Sequence, residues 1–394
     1  MPPRFLLAFV GLYGGYGMVS PFLPAFLAER GLDPRAIGLV LAAGTGVRLL
    51  AGPCAGRLAD RRGAGRAVLV VCGLLTAGAT LAFLAGHGFP ALLAVGILYA
   101  AASAPLAPLA DALALPAAAA GRFAYGHLRG AGSAAFIAAS LTAGLVAGSF
   151  GTAAVLALGA LGFAGLSAAA AGLPVPPAAP EREGGGLGRL LRSGGFLRLV
   201  LAAALVVGSH AVHDAFAVIR WREAGVSPAW IGLLWAEAVA AEVAVFLVLG
   251  PPLLDRLGPG RALALAAAAG ILRWSVMALT AALPAVAAAQ ALHGATFALL
   301  HLACLRRIGD TVPSRLAATA LTLYGSVGLG LSTAGLTLAA GALYAGLGPG
   351  AFWVMAALCV PAIPLALSLR QDPVETVRDA VAEGRDLVRP HQPD

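Results

Sequence analysis

The sequence predicts an all-α membrane protein with twelve transmembrane helices arranged as two parallel six-helix halves. Three observations predict this fold: the composition, the spacing of apolar runs and an internal repeat. Of 394 residues, 60% are hydrophobic and 11% are charged, and the mean hydropathy is +0.88. Such a chain has too much apolar surface to fold in water. Because its apolar runs are far longer than barrel strands, helices are the structure that satisfies their backbone groups in lipid.

Twelve apolar runs, broken by charged, Pro or Gly clusters, define the predicted spans. They are 5–28, 36–58, 66–86, 90–114, 126–149, 152–173, 197–219, 229–250, 261–283, 285–305, 316–343 and 350–369. Residues 174–195 are rich in Pro, Gly and charge, which is typical of a polar linker. The predicted organisation is therefore a first half over 1–173, a cytosolic linker over 174–195, a second half over 196–370 and a cytosolic tail over 371–394.

The internal repeat relates the two halves. Residues 29–39 recur as 223–233 with matches at Glu, Gly, Pro, Ile, Gly and Leu, and the arginine-rich loop 56–66 has a weaker copy at 253–261. A copy in the same sense after six helices implies parallel halves with a binding site between them at mid-depth.

The arginines predict the orientation, since all 26 basic residues are arginine. With a cytosolic amino terminus, the inside loops hold fourteen of them: Arg57, Arg61, Arg62, Arg66, Arg122, Arg182, Arg189, Arg192, Arg198, Arg256, Arg261, Arg306, Arg307 and Arg315. The outside loops hold four, namely Arg30, Arg35, Arg220 and Arg222. Both termini are therefore expected in the cytosol. Because the charge of +8 is dispersed over these loops, it does not indicate nucleic-acid binding.

The loop at 56–66 resembles the G-x-L-A-D-R-x-G-x-x-R signature of the major facilitator superfamily. In that superfamily the glycine allows close helix approach, the aspartate meets a helix end of the other half, and the arginines hold a cytosolic gate. The resemblance implies gate residues at the following positions: Gly56, Asp60, Arg61 and Arg66, with Asp255 and Arg256 in the second copy.

A narrower resemblance extends through most of the chain. The motifs are YG at 16–17, PFLP at 21–24, APLAPLADAL at 104–113, YGHLRGAGS at 125–133, LW at 234–235, AEV at 241–243, RW at 273–274, QALH at 290–293, TF at 296–297, HLA at 301–303 and FWVMA at 352–356. This set is similar to the phenylpropionate permease family. The resemblance implies a proton-coupled importer of the bacterial inner membrane; the family's named member takes up 3-phenylpropionic acid, and related branches move sugars and nucleosides. The seventh predicted span, 197–219, departs from the family, because its residues 210–216 include an imidazole and a carboxylate at positions where the family usually has aromatic residues.

Charged groups at membrane depth are the candidate functional residues, because burying a charge in lipid is costly and such groups usually face a cavity or a partner. The predicted set is Asp111, Arg129, His210, Asp214, Glu242, Arg273, His293 and His301. We expect Asp111 or Glu242 to carry a proton, and Arg129 and Arg273 to bind an anionic solute through their planar forks.

Structural roles are the alternative for each of these groups. The arginines and carboxylates can form ion pairs with each other, and the two histidines at 293 and 301, spaced with Phe297 along one stripe, can relay protons or bond neighbouring helices. For Arg48 the favoured interpretation is a long side chain that extends to the membrane surface.

The predicted partners are a small organic solute, protons and membrane lipid, with no cofactor, metal or nucleic acid, in a monomer. The alternatives are a sugar or nucleoside symporter and an exporter of the same superfamily. A membrane enzyme would need a nucleophile–base set or a metal site, for which His210, His213 and Asp214 are a weak candidate. The four cysteines show no pairing pattern.

Overall fold

A computed structural model describes residues 2–174, 187–313 and 316–369. Within these ranges the chain is helical and has no strand, which confirms the predicted fold class. Most of the predicted linker, residues 175–186, and the predicted tail, 371–394, lie outside the described residues.

Six helices build the first half. They are α1 (Pro3–Glu29), α2 (Pro34–Arg62), α3 (Gly65–Ala85), α4 (Gly88–Ser103), α5 (Leu106–Ala119) and α6 (Tyr125–Ala170). Ten helices follow: α7 (Leu187–Arg192), α8 (Gly194–Gly208), α9 (Ala211–Glu223), α10 (Pro228–Ala244), α11 (Gly250–Leu279), α12 (Leu283–Ala291), α13 (Leu300–Thr311), α14 (Ala317–Thr322), α15 (Leu331–Leu347) and α16 (Ala351–Ser368). Three π-helical segments, Val245–Leu249, Gly294–Leu299 and Leu323–Gly330, continue α10, α12 and α14.

Nine continuous helical segments of the described chain are long and apolar enough to cross a membrane. Three of them are too long for one crossing: Tyr125–Ala170, Pro228–Leu279 and Thr319–Ser368 have 46, 52 and 50 residues. At 1.5 Å per residue even the shortest spans about 70 Å, against about 30 Å of hydrocarbon. Each contains a glycine of positive φ at which the chain turns: Gly151, Gly258 and Gly348. Two crossings for each of these three segments agree with the predicted twelve.

Two crossings are broken near their middle. The helix predicted over 90–114 divides into α4 and α5 at Ala104 and Pro105. The crossing formed by α8 and α9 divides at Ser209 and His210. Pro105 has no N–H and cannot continue the hydrogen bonds of α4, and the last carbonyls of a helix lack partners within it. The Tyr16 hydroxyl donates to the Ser103 carbonyl oxygen at 2.7 Å. This hydrogen bond satisfies a carbonyl at the end of α4, beside the break.

The halves pack most closely at one end of the bundle, which we call the Glu29 end; the opposite end, with the 56–66 loop, is the Arg61 end. Helices α2 and α15 meet at glycines, since a Cβ on Gly38 would lie 2.7 Å from the Gly341 Cα. Helices α6 and α10 also meet at glycines, since a Cβ on Gly144 would lie 3.0 Å from the Gly232 Cα. Backbones this close hold the halves together at the Glu29 end.

An ion pair joins the halves at the same end. Arg222 Nη1 on α9 donates to Glu29 Oε1 on α1 at 2.5 Å, and Thr152 on α6 donates to the other oxygen of Glu29. The Glu29 carboxylate therefore binds side chains of both halves.

Candidate functional site

A cavity of about 440 Å³ lies between the halves. Its walls come from α1, α2, α4, α6, α9 and α15, and its polar and aromatic lining side chains are Tyr13, Tyr16, Ser20, Thr45, Arg48, Tyr99, Phe136, Asp214, Thr333 and Thr337. Among the described lining residues, Arg48 and Asp214 carry charge. The volume is in the range that holds a small organic ligand.

Arg48 lies midway along α2 and lines this cavity. It interacts electrostatically with Tyr16, and its Cζ lies 6.0 Å from the Tyr99 ring centroid. The interpretation that this side chain extends to the membrane surface is therefore wrong. Sequence spacing does show that Gly44 and Arg48 share a helix face, but not that this face points to a cavity.

Asp214 lies in the first turn of α9. It is the member of the predicted set that lines the cavity. Its side chain is 58% exposed because it opens onto this internal space, whereas the neighbouring His213 is 2% exposed. Asp214 Oδ1 lies 2.9 Å from His213 Nδ1. The break before α9 places this pair at the cavity wall.

Arg273, on α11, is fully buried behind the pair. Its Nη2 donates to Gln290 Oε1 at 2.9 Å, its Nη1 donates to His293 Nδ1 at 3.0 Å, and its Cζ lies 4.5 Å from the Trp274 ring centroid. Both terminal nitrogens bind protein acceptors. The geometry therefore supports a positioning role for Arg273 rather than the predicted contact with an anion.

His210 belongs to the same network. Its Nε2 lies 3.1 Å from Thr296 Oγ1, and Arg273 Nη1 also reaches this hydroxyl at 3.3 Å. Neither Thr296 nor Gln290 had a predicted role, although they stand three residues after and before His293, a spacing that places helical side chains near each other. Among the described residues, no three His, Cys, Asp or Glu side chains are grouped to hold a metal ion.

Glu242 extends the network toward the interface between the halves. Its Oε2 lies 3.5 Å from His293 Nε2, and it interacts electrostatically with His301 and with Arg129 of the first half. Phe297 stacks between the two histidines, with ring centroids 5.4 Å from His293 and 4.3 Å from His301. The predicted stripe of three rings is therefore present in the structure.

Arg129 lies beside the cavity, behind one of its lining rings. Its Cζ is 4.7 Å from the Tyr13 ring centroid, and its Nη1 is buried without a hydrogen-bond partner among the described residues. Asp111, on α5, interacts with Tyr125, its Oδ1 is buried without a hydrogen-bond partner among the described residues, and it does not line the cavity. The structure therefore separates Asp111 from the network that joins the other predicted groups.

The gate residues implied by the resemblance are spread over the Arg61 end. Asp60, Arg61 and Arg256 are exposed, and a Cβ on Gly56 would meet no atom within 4 Å. Gly56 therefore makes no close helix approach here.

Two other gate residues bind partners within their own half. Arg66 Nη1 donates to the Leu173 carbonyl oxygen at 3.1 Å, and Asp255 pairs with Arg306 at 3.5 Å. These contacts hold each half together, so the expected contacts across the halves are absent from the described Arg61 end. Such contacts require the two halves to approach at that end, whereas here they approach at the Glu29 end.

An all-helical membrane bundle whose two halves enclose a charged cavity has the architecture of a secondary transporter. The profile of the MFS_1 like family matches residues 6–355. The chain therefore belongs to this family of major facilitator transporters.

Individual relatives agree with this assignment. The chain is 34% identical to the "Probable 3-phenylpropionic acid transporter" of Escherichia coli K12, over 91% of this chain and 95% of that protein. It is 27% identical to the maltose permease of Geobacillus stearothermophilus, over 90% and 91%. A crystal structure of a mutant of the nucleoside transporter NupG superposes with a TM-score of 0.84 at 15% identity, over 93% of this chain and 99% of that one. The similarity to NupG shows a shared fold.

Proposed function

We propose that this protein is a proton-coupled importer of a small aromatic carboxylate, working by alternating access in a bacterial inner membrane. The observation that carries the proposal is the placement of Arg48 in a tyrosine-lined cavity between the halves. The name of the Escherichia coli relative supports the same chemistry, since 3-phenylpropionic acid is an aromatic carboxylate.

The cavity offers a partner for each end of such a solute. A guanidinium fork binds a carboxylate through two parallel hydrogen bonds, and Arg48 lines the cavity. Tyr13 and Phe136 line the same space and provide aromatic faces for the ring of the solute.

The packing at the Glu29 end supports a cycle in which that end faces outward and is closed here. The arginine-rich Arg61 end then faces the cytosol, with both termini on that side. Opening of the Glu29 end would need separation of Glu29 from Arg222. From the sequence, Asp111 and Glu242 are candidate proton carriers, and of the two Glu242 lies nearer the interface between the halves.

A sugar or nucleoside symporter is the second candidate. The cavity also presents Thr45, Thr333 and Thr337, whose hydroxyl groups suit a polyhydroxylated solute. The 27% identity to a maltose permease points to the same alternative. An exporter of the same superfamily would use the same cavity in the opposite direction.

Transport by the purified protein in lipid vesicles tests these candidates. We expect radiolabelled 3-phenylpropionate to accumulate when the exterior is acid, and a protonophore to abolish the accumulation. Maltose and uridine serve as competing substrates under the same gradient. Accumulation of either without 3-phenylpropionate would replace the proposed substrate. Accumulation of 3-phenylpropionate that ignores the gradient would contradict proton coupling, and accumulation only under an inverted gradient would indicate export.

A further inference from the structure

We propose that the coupling proton is held by the His213–Asp214 pair on the cavity wall, and not by Asp111 or Glu242. The inference rests on the proposed function, whose site it deepens. It follows from the direction of each hydrogen bond around His213.

The orientation of the Gln290 amide is set by two neighbours. Arg273 Nη2, which is always a donor, lies 2.9 Å from Gln290 Oε1. Gln290 Nε2 donates to the Leu234 carbonyl oxygen at 3.2 Å. A flipped amide would face a donor with a donor and an acceptor with an acceptor. Gln290 Oε1 is therefore the acceptor on the side of His213.

This orientation determines the state of one ring nitrogen of His213. His213 Nε2 lies 3.1 Å from Gln290 Oε1, and an oxygen with no hydrogen can only accept. His213 Nε2 therefore carries a hydrogen. Arg273 Nη2 lies farther from it, at 3.5 Å, and both groups donate to the same amide oxygen.

The opposite ring nitrogen then shares a single proton with Asp214. His213 Nδ1 and Asp214 Oδ1 are 2.9 Å apart, a hydrogen-bond distance that two bare acceptors would not hold. With Nε2 already protonated, the proton between them makes the pair either imidazolium and carboxylate or imidazole and carboxylic acid. Both forms are neutral overall, and loss of this proton leaves a net charge of −1.

The charged groups around the pair come from four elements. Arg273 on α11 and His293 at the end of α12 lie on the buried side, His210 precedes the pair at the start of α9, and Arg48 on α2 lines the same cavity. The other contacts of the His213 ring are Trp221, Trp235 and Trp274, with centroids 5.9, 5.1 and 5.7 Å away. The rings hold His213 in place, whereas Asp214 opens onto the cavity.

This arrangement links the proton to an anionic solute. When the proton is present, the pair is neutral and a carboxylate can occupy Arg48. When the proton leaves, two acceptors face each other at 2.9 Å, so Asp214 turns toward the cavity as an anion. There the Asp214 carboxylate competes with the solute for Arg48 and repels the solute, which is also an anion. Proton and solute therefore bind together and leave together.

Transport by matched variants tests the assignment. Asp214→Asn keeps the size of the side chain and a donor for His213 Nδ1, but it has no carboxyl group that can gain or lose a proton. We expect it to lose gradient-driven accumulation of 3-phenylpropionate while retaining counterflow exchange. Asp310→Asn makes the same change at an exposed carboxylate outside the cavity and is the matched control, so it should retain accumulation. The rival carriers are tested by Asp111→Asn and Glu242→Gln. Accumulation by Asp214→Asn together with its loss in either of these two variants would overturn the assignment and leave proton-coupled import intact.

A second measurement needs no substrate. Solid-state NMR of the protein labelled with ¹⁵N-histidine in lipid resolves the two ring nitrogens, and His213→Gln identifies the His213 signals among the seven histidines. We expect Nε2 to stay protonated and Nδ1 to change with pH, and this change to vanish in Asp214→Asn. A His213 signal that does not respond to pH overturns the inference. If the wild type fails to accumulate 3-phenylpropionate, the proposed function fails and this titration alone decides whether the pair binds a proton.

Discussion

Three arginines at membrane depth show how the same side chain takes different roles in different surroundings. Arg273 is fully buried and donates to Gln290 and His293, so its fork is occupied. Arg129 lies against Tyr13 with one nitrogen unpaired in the described structure. Arg48 opens onto the cavity. Of the three, Arg48 has the direct access that a carboxylate ligand requires.

Replacement of Arg48 tests that role. We expect Arg48→Gln to raise the KM for 3-phenylpropionate at least about tenfold, because a charge-assisted hydrogen bond contributes about 1.5–3 kcal/mol. Arg48→Lys keeps the charge without the fork, so its KM should lie between those of the wild type and Arg48→Gln. The measurement is initial uptake rate against concentration in vesicles.

Two controls separate recognition from folding. Arg35→Gln removes an exposed arginine at the start of the same helix and should leave the KM unchanged. Binding of 3-phenylpropanamide, which lacks the carboxylate charge, should change far less in Arg48→Gln than binding of the acid. An equal loss for both compounds would show that Arg48 supports the cavity rather than the carboxylate.

At the scale of elements, breaks and close contacts of helices position the site. The break between α8 and α9 places Asp214 on the cavity wall, and the break between α4 and α5 exposes a carbonyl that Tyr16 binds. Glycines bring α6 against α10 and α2 against α15 at the Glu29 end. Opening of that end must separate these two helix pairs.

A small wedge between α6 and α10 should therefore change the conformational equilibrium. A Cβ on Gly232 would lie 2.5 Å from the Ser140 carbonyl oxygen and 3.0 Å from the Gly144 Cα. Since overpacking costs about 1–3 kcal/mol, we expect Gly232→Ala to increase the population open at the Glu29 end about fivefold or more. The measurement is the labelling rate of a cysteine at Thr337, which lines the cavity, by an impermeant thiol reagent added at the Glu29 side.

The matched control for the wedge is Gly335→Ala on α15, where an added Cβ meets no atom within 4 Å. Its labelling rate should equal that of the parent protein, in which the four native cysteines are replaced. An unchanged rate in Gly232→Ala would mean that this contact does not resist opening.

At the scale of the whole molecule, the asymmetric distribution of arginine predicts the orientation in the membrane. In intact cells, an impermeant maleimide should label a cysteine at Ala224, at the Glu29 end, and should not label one at Ala120, at the Arg61 end; both positions are exposed. Permeabilised cells should label both. Labelling of Ala120→Cys alone in intact cells would reverse the orientation and with it the proposed direction of transport.

Much of this fold was predictable because membrane helices leave a local signal. The predicted span 36–58 corresponds to α2, and 66–86 corresponds to α3, since charged and Gly-rich turns interrupt apolar runs wherever the chain leaves the membrane. The repeat and the motif set predicted the family that the profile match confirms. The sequence predicted one helix where the structure has α4 and α5, and one helix where it has α8 and α9, because a long apolar run remains apolar across a break.

The site was predicted only in part, for a geometrical reason. The sequence by itself determined the helical membrane fold, the duplication, the family and the small set of charged groups at membrane depth. Only the tertiary structure decided which of them share a space: it put Arg48 and Asp214 on one cavity, enclosed Arg273 behind His213, and left Asp111 apart. Hydropathy and motif spacing depend on neighbours along one chain segment. The direction in which a side chain points depends on how its helix is rotated, broken and packed against helices hundreds of residues away.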